Sequence, residues 1–232
     1  MFQRPHHQRI LEVLLALDAA ILREYRCYFG GGTAIALSRG EYRESVDMDF
    51  LVSDIGCYRQ LRKALQDTDA CSAFFGLGRG PLTVMPELRA DQYGIRTWLP
   101  LKPAAIKFEI IFEARISHDM PEPEHHIAGV SLLTEPDLVA SKLLANADRW
   151  SDAGVFSRDI LDLAMLHPDA NTWTTALDKA EEAYGDAILR CLRSAATSLL
   201  DDPRRLARCI DALEINMPQA LVHRRLAILL EC

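Results

Sequence analysis

The chain has 232 residues, of which 49% are hydrophobic and 25% are charged, a balance typical of folded globular proteins. Its formal net charge of −7 argues against a protein that coats nucleic acid, although a local basic patch remains compatible with it. No apolar run approaches the roughly 20 residues of a membrane span, and the N-terminal segment has helical rather than signal-peptide character. The sequence therefore predicts a cytoplasmic protein that does not engage a membrane.

Hydrophobic periodicity predicts two halves of different character. In the first half, an amphipathic helix over 8–25 precedes a short apolar strand at 27–29, a glycine-rich turn, and a helix that resumes at Thr33. Further elements of this half are strands at 46–52, 93–99 and 105–114 and a helix at 55–66. After a linker-like segment at 121–124, helices are predicted at 136–149, 157–166, 174–183, 186–199, 203–213 and 218–230. We assign 1–118 to an α/β lobe and 119–232 to a helical lobe that completes an active-site cleft.

Two aspartates stand out in the strand VDMDFLV. Asp47 and Asp49 alternate with apolar residues, so their side chains leave the same face of the predicted strand. Burying two unpaired carboxylates side by side is costly, and a divalent cation that prefers oxygen ligands, such as Mg²⁺, would neutralise both. The alternative is a strand end that carries two solvated aspartates.

A third acid lies inside the apolar strand KFEIIFE. Glu109 would complete a site for one or two Mg²⁺ ions of the kind used in phosphoryl and nucleotidyl transfer. Two alternatives remain open. Lys107 shares the strand face of Glu109 and offers a local ion pair, and Glu113, nearer the strand end, is the competing third acid.

The stretch YFGGGTAIAL predicts a strand, a glycine-rich turn and a helix start. Gly31 and Gly32 would let an anion approach the main chain, and the hydroxyl of Thr33 would add a hydrogen bond at the positive end of the helix. We expect a triphosphate there. The stretch matches neither the P-loop nor the GxGxxG pattern.

Together these motifs resemble the DNA polymerase β-like nucleotidyltransferase superfamily. A glycine pair with serine or threonine, an Asp-x-Asp strand and a later strand acid define that pattern, and its places are filled here by Gly31, Gly32, Thr33, Asp47, Asp49 and Glu109. A second block, LVASKLLANADRWSDAGVFSRDILDLAML, is similar to the AbiEii/AbiGii-type branch, which comprises bacterial toxin–antitoxin and phage-defence toxins.

The resemblance implies an α+β fold in which a polymerase-β-like mixed sheet with flanking helices is followed by a helical C-terminal lobe. It implies Mg²⁺-dependent transfer of a nucleoside monophosphate from an NTP to an acceptor, with release of pyrophosphate. For some members the acceptor is RNA, in particular tRNA 3′ ends, and a cognate antitoxin is an implied protein partner. Arg204, Arg205, Arg208, Arg224 and Arg225 in the C-terminal helices offer either a surface for RNA or an ordinary solvated surface.

The resemblance also assigns residues. Asp47 and Asp49 would hold the metal, and Glu109 would bind it or act as base toward the acceptor. Lys142 and Asp159 match functional positions, and Arg43 and Ser45 match the segment before the aspartate strand. Matches with undefined roles are Arg149, Arg158 and Asp162.

The assigned roles compete with plainer ones. Gly31, Gly32 and Thr33 would cradle the β- and γ-phosphates, and Arg43 and Lys142 would offset the triphosphate charge. Against this, Lys142 can be interpreted as a cation that snorkels from an apolar helix, and Arg158 with Asp162 as an ordinary i,i+4 salt bridge. A DxD glycosyltransferase and a degenerate, non-catalytic nucleotide-binding protein are the rival functions.

Overall fold

The computed structural model describes residues 2–231. The chain forms two compact units, the first made of Met1–Leu37 and Val46–Thr134 and the second of Ser38–Ser45 and Glu135–Cys232. This division differs from the one drawn at 118/119. Residues 119–134 belong to the first unit because Phe29 forms a β-bridge with Leu132, and the Leu133 N–H donates to the Phe29 carbonyl at 3.0 Å.

The first unit is built on a five-stranded mixed sheet in the order β1-β2-β5-β4-β3. Its strands are β1 Tyr28–Gly30, β2 Met48–Val52, β3 Arg89–Ala90, β4 Gly94–Leu99 and β5 Ile106–Phe112. Strands β2 and β5 run parallel, and the other neighbours are antiparallel. The flanking helices are α1 Pro5–Ala16, α2 Ala19–Glu24, α3 Gly31–Ser38, α4 Ile55–Ala64 and α5 Thr68–Phe74, and a small hairpin consists of β6 His126–Ile127 and β7 Val130–Ser131.

The period-2 pattern of the strands separates the two faces of this sheet. On one face, Phe50 of β2 packs between Phe29 and Phe108, with ring centroids 5.2 and 5.1 Å apart. Phe74 and Phe75 close over Phe108 and extend this aromatic core. The other face carries the polar residues of the same strands, so burial of the aromatic face directs the carboxylates to the opposite side.

Short elements account for the departures from the predicted pattern. The helix predicted over 8–25 is two helices, because the Asp18 carboxylate accepts hydrogen bonds from the N–H groups of Ala20 and Ile21 and so starts α2 afresh. Helix α5, capped in the same way by Asp67, and strands β3, β6 and β7 were not predicted. All four elements are too short to show a clear period.

The second unit is helical. Its helices are α6 Glu135–Arg149, α7 Arg158–Leu166, α8 Ala170–Tyr184, α9 Ala187–Leu200, α10 Pro203–Ala212 and α11 Gln219–Ile228. Helix α6 is central and packs against α7, α8 and α9. The predicted α+β class, with a mixed sheet followed by helices, is confirmed. Within residues 2–231, no helix has the length and apolar character needed to cross a membrane.

Candidate active site

The polar face of the sheet places two of the predicted acids side by side. Asp49 of β2 is the register partner of Glu109 on the parallel strand β5 and of Gly30 on β1, and Glu109 is in turn opposite Arg96 on β4. Asp47 lies immediately before β2. We refer to Asp47, Asp49 and Glu109 as the sheet acids.

The environment of the aspartates differs from the one expected. The sequence predicted two carboxylates buried on a core strand, but Asp47 and Asp49 are both only half-buried, and Asp47 precedes the strand. The predicted burial was wrong because the apolar neighbours of the aspartates point to the opposite face of the sheet, and that face is the buried one. The need to neutralise deeply buried charge therefore does not by itself argue for a metal ion here.

Cations hold Glu109 in the described structure. Its Oε2 pairs with the Lys107 ammonium, and its Oε1 lies 3.2 Å from Nε of Arg96. The local ion pair considered as an alternative is thus present. The sequence analysis did not predict Arg96 as a partner of Glu109. Its position in the predicted strand 93–99 was the one feature of the sequence that could have suggested this contact.

The register of β2 and β5 distinguishes Glu109 from Glu113, the competing candidate for the third acid. Glu113 lies one residue beyond the last β2–β5 pair, Val52 with Phe112, and therefore does not stand opposite either aspartate. Burial works against ionisation of Glu113, but hydrogen bonds from Arg115 outweigh it and hold the pKa of Glu113 below its usual value. Glu113 is thus engaged by a neighbouring arginine away from the aspartates.

The glycine turn closes directly on Asp49. A Cβ added at Gly31 would lie 2.4 Å from Oδ2 of Asp49, and Gly31 has a φ of +66°. Helix α3 starts at Gly31 and includes Gly32, so the predicted start at Thr33 is two residues late. The structure thus supplies a reason for the missing side chain that the sequence did not suggest: the Asp49 carboxylate occupies that space.

Thr33 is buried, and its hydroxyl donates a hydrogen bond to the backbone carbonyl of Asp47. This bond ties the start of α3 to the segment that leads into β2. In this structure Thr33 therefore positions Asp47, and the phosphate contacts assigned to Gly31, Gly32 and Thr33 stay predictions.

A matched pair of glycine substitutions tests the contact with Asp49. Gly129 also has a positive φ of +82°, but a Cβ there would meet nothing within 4 Å. We expect Gly129→Ala to cost about 1–2 kcal/mol of unfolding free energy, the usual penalty for the left-handed conformation. Gly31→Ala should cost a further 1–3 kcal/mol, roughly the cost of overpacking. Urea unfolding of both variants measures the difference, and equal losses would show that Asp49 does not crowd Gly31.

In the second unit, a separate group of ionic residues is buried. The Lys142 ammonium lies 2.9 Å from Oδ1 of Asp159 and 2.7 Å from Oδ2 of Asp162, and all three residues are less than a tenth exposed. Lys142 therefore does not snorkel to solvent. It joins α6 to α7 through two carboxylates.

Two arginines complete this group. Arg43 engages both carboxylate oxygens of Asp162 at 2.7 and 3.0 Å, and Arg149 engages both oxygens of Asp159 at the same distances. The hydroxyl of Tyr42 also donates to Asp162. Five of these residues are buried, and Arg149 at the edge of the group is partly exposed, with a side-chain exposure of 36%. We call the group the buried ion network: Tyr42, Arg43, Lys142, Arg149, Asp159 and Asp162.

Asp162 thus takes its partners from distant parts of the chain rather than from Arg158, so the i,i+4 salt bridge considered from the sequence is not the observed pairing. Arg158 is the first residue of α7, and Ser45 lies in the irregular segment before β2. Tyr42 was missed, although it directly precedes a residue that the resemblance had marked. Catalytic or nucleotide-binding roles for Arg43, Ser45, Lys142 and Asp159 stay predictions.

The charges of the network stabilise one another. Burial opposes ionisation of Asp159 and Asp162, but Lys142 with Arg149 and Arg43 outweighs it, so the pKa of each carboxyl is lowered. Burial likewise opposes the ammonium, but the two aspartates raise the pKa of Lys142. Burial, reinforced by Asp162, raises the pKa of Tyr42. Three cations therefore face two carboxylates around a neutral phenol.

Within residues 2–231, no three His, Cys, Asp or Glu side chains are arranged to hold a metal ion. The oxygen ligands of the sheet acids nevertheless suit Mg²⁺ chemically, and Asp49 and Glu109 occupy directly neighbouring strand positions. Glu109 would have to exchange its contacts with Lys107 and Arg96 for the metal. The Mg²⁺ site stays a prediction.

Comparison with solved structures identifies the fold. Over 100% of this chain and 92% of the other, the chain is similar to the crystal structure of JHP933 from Helicobacter pylori, with a TM-score of 0.54 and 16% identity. It is also similar to a protein from H. pylori described as a candidate nucleotidyltransferase, with a TM-score of 0.52 and 17% identity over 97% of this chain and 92% of that one. At these identities the likeness concerns the fold alone.

The family follows from the sequence profile. Residues 13–225 match the family described as nucleotidyl transferase AbiEii toxin, type IV toxin–antitoxin system. The chain belongs to this family, as its motifs predicted. The family is one of transferases, and its toxin–antitoxin system implies an antitoxin partner. No curated protein sequence matches the chain.

Proposed function

We propose that this protein transfers a nucleoside monophosphate from an NTP to an acceptor hydroxyl in a Mg²⁺-dependent reaction. The observation that carries the proposal is the register of Asp49 with Glu109 beside the glycine turn at Gly31, in a chain of a nucleotidyltransferase family. The acceptor oxygen bonds to the α-phosphorus, the bond from that phosphorus to the oxygen bridging to the β-phosphate breaks, and pyrophosphate leaves.

Each sheet acid has a defined part in this proposal. Asp47 and Asp49 would hold the metal, and Glu109 would either join them or accept the proton of the acceptor hydroxyl. Bound Mg²⁺ would supply charge stabilisation to the transferring phosphate. Lys107 and Arg96 pair with Glu109 in the described structure, and in the first case both cations would be available to the triphosphate.

The first turn of α3 is proposed to receive the phosphates. Gly31 and Gly32 begin the helix, where backbone N–H groups lack helical partners and favour an anion. Thr33 acts indirectly, since its hydroxyl is bonded to the carbonyl of Asp47. Arg43 and Lys142 are proposed to offset triphosphate charge, although both are engaged by Asp162 in the described structure.

For the acceptor we propose RNA, with tRNA as the first candidate. For the physiological setting we propose a toxin that its antitoxin inhibits.

The test is incubation of the protein with each α-labelled NTP, Mg²⁺ and total bacterial RNA, followed by gel analysis. Label in a tRNA-sized band would identify the reaction, the base and the acceptor. Label on protein would replace RNA by a protein acceptor. NTP binding without transfer would favour a non-catalytic binding protein. Transfer of a sugar from a nucleotide-sugar would favour a glycosyltransferase.

A pair of isosteric substitutions tests the third acid. We expect Glu109→Gln to lower the rate of transfer at least a hundredfold, about 2.7 kcal/mol in the barrier, because Glu109 stands opposite Asp49. Glu113→Gln should leave the rate within about threefold and reduce stability instead, since it weakens a charge-assisted hydrogen bond with Arg115. Single-turnover rates and urea unfolding of both variants separate the two effects. The reverse order of rates would assign the role to Glu113.

A further inference from the structure

The second unit contains a cavity of about 610 Å³ whose lining includes Arg224 and Arg225, two of the arginines predicted to offer a surface for RNA. It lies beside the C-terminal end of α7, the irregular segment 213–218 and helix α11. Apolar side chains and cationic side chains both line it. The apolar ones are Met165, Leu166, Met217, Leu221 and Ile228, and the cationic or titratable ones are Arg39, His167, Arg224 and Arg225. We call it the arginine cavity.

The charged side chains that line the arginine cavity are positive. Three guanidinium groups line it, and none of the described lining residues is acidic, in a chain whose net charge is −7. Arg39 is partly neutralised, because it pairs with Glu135 and lies 3.5 Å from the carbonyl oxygen of Leu166. The excess positive charge therefore comes from α11.

Arg224 and Arg225 of α11 have N–H donors that are not used by strong acceptors. Arg225 donates from Nη1 to the thioether sulfur of Met165 at 3.3 Å, and a thioether is a weak acceptor. Arg224 is exposed, and neither arginine has a carboxylate partner within residues 2–231. Each guanidinium carries five N–H donors in a fork that matches phosphate oxygens. Both groups are thus suited to receive an oxyanion.

The volume and the apolar lining of the cavity indicate what the rest of the ligand is. A volume of about 610 Å³ falls in the usual range for one small molecule rather than for an extended chain. The lining includes Met165 and Met217, whose polarizable sulfur atoms pack well against aromatic rings. We propose that the arginine cavity binds a nucleoside monophosphate unit, with its phosphate at Arg224 and Arg225 and its base against Met165 and Met217.

The cavity is also connected to the buried ion network. Tyr42 lines the cavity, and its hydroxyl donates to Asp162, which holds Arg43 and Lys142. A bound nucleotide would therefore rest against a side chain that is fixed by the network. The unit has two sources, a free nucleotide or a nucleotide within an RNA strand, and the same phosphate and base serve both.

Binding measurements with matched variants test this site. The probes are AMP, by calorimetry, and a fluorescein-labelled single-stranded 12-mer RNA, by anisotropy. We expect Arg224→Gln/Arg225→Gln to weaken binding of at least one probe tenfold or more and to lower the salt slope for RNA by about 1.4, or 0.7 for each phosphate that the variant no longer neutralises. The control Arg190→Gln/Arg193→Gln removes the same charge from α9 of the same unit, and it should change affinity less than twofold. Thermal unfolding confirms that both double variants are folded, and Arg224→Gln alone serves if the double variant is not.

The outcomes separate this inference from the proposed reaction. Loss of AMP affinity in the α11 variant identifies a free-nucleotide site, and loss of RNA affinity alone identifies a strand-borne nucleotide. Equal affinities of the α11 and α9 variants would overturn the inference, even if NTP transfer is found. Binding of poly-glutamate but of neither nucleotide probe would overturn it in favour of an acidic protein partner. An inactive protein that still binds AMP through α11 would leave the cavity assignment standing and remove the transfer reaction.

Discussion

The substitution Asp47→Asn is expected to abolish nucleotidyl transfer while leaving the fold intact. Metal ions contribute several kcal/mol of charge stabilisation, so loss of a ligand should slow transfer roughly a thousandfold. The Asp47 side chain is half-buried, and the bond from Thr33 uses its backbone carbonyl, which asparagine retains. The free energy of unfolding should therefore change by less than about 0.5 kcal/mol. Single-turnover assays and urea unfolding measure the two quantities.

Ligand-induced stabilisation provides the second readout for this variant. Mg²⁺ with a non-hydrolysable NTP should raise the thermal midpoint of the wild type by several degrees, because only the folded state binds the complex. It should not raise that of Asp47→Asn. Asp69→Asn is the control, since it removes the same charge from an exposed position in the first unit. If Asp47→Asn keeps its activity, or if it unfolds, Asp47 is not a metal ligand of the proposed kind.

Replacing Asp162 by asparagine is expected to cause the largest loss of stability. Asp162 is fully buried and accepts from Arg43, Lys142 and Tyr42, so its removal leaves uncompensated positive charge in the interior. Breaking a buried pair in this way costs about 3–5 kcal/mol, which corresponds to roughly 6–20 °C in a chain of this size. Asp186→Asn breaks an exposed pair with Arg190 and should cost less than about 1 kcal/mol. Comparable losses in the two variants would contradict the network.

The charge balance of the network predicts an order of effects. Three cations face two carboxylates, so Asp162→Asn increases the imbalance, whereas Lys142→Met removes it. Lys142→Met should therefore be less destabilising than Asp162→Asn. A Lys142→Met variant that is folded but inactive would also support the catalytic role predicted for Lys142, and one that is folded and active would assign Lys142 to structure alone.

The pH dependence of stability has a defined sign. The folded-state pKa values of Asp159 and Asp162 lie below those of unfolded aspartate, about 3.9. Their contribution is complete above the unfolded pKa and is lost as the pH falls through the folded values. Between pH 5 and pH 2, the stability of Asp162→Asn should thus fall less steeply than that of the wild type. Parallel curves would mean that Asp162 does not ionise differently in the folded state.

The sequence by itself determined the family and the longer helices and strands. Partial period-2 alternation predicted strand β2, a strongly apolar run predicted β5, and the helical pattern of the second half predicted all six of its helices, because each signal lies in neighbouring residues. The motif from Gly31 to Asp49 and the block around Lys142 were sufficient for the family assignment. Short elements such as α5 and the β6–β7 hairpin carry too few residues for either period and were missed.

The tertiary structure decided which of these residues meet. Strand register placed Glu109 rather than Glu113 opposite Asp49. The residues next to each glutamate in the sequence left the choice between them open. The reason for glycine at position 31 is an aspartate from another strand. Asp162 pairs with Arg43, 119 residues away, rather than with Arg158 in its own helix. Such partners are chosen by the packing of helices and strands that are distant in the chain, and periodicity along the sequence contains no information about them.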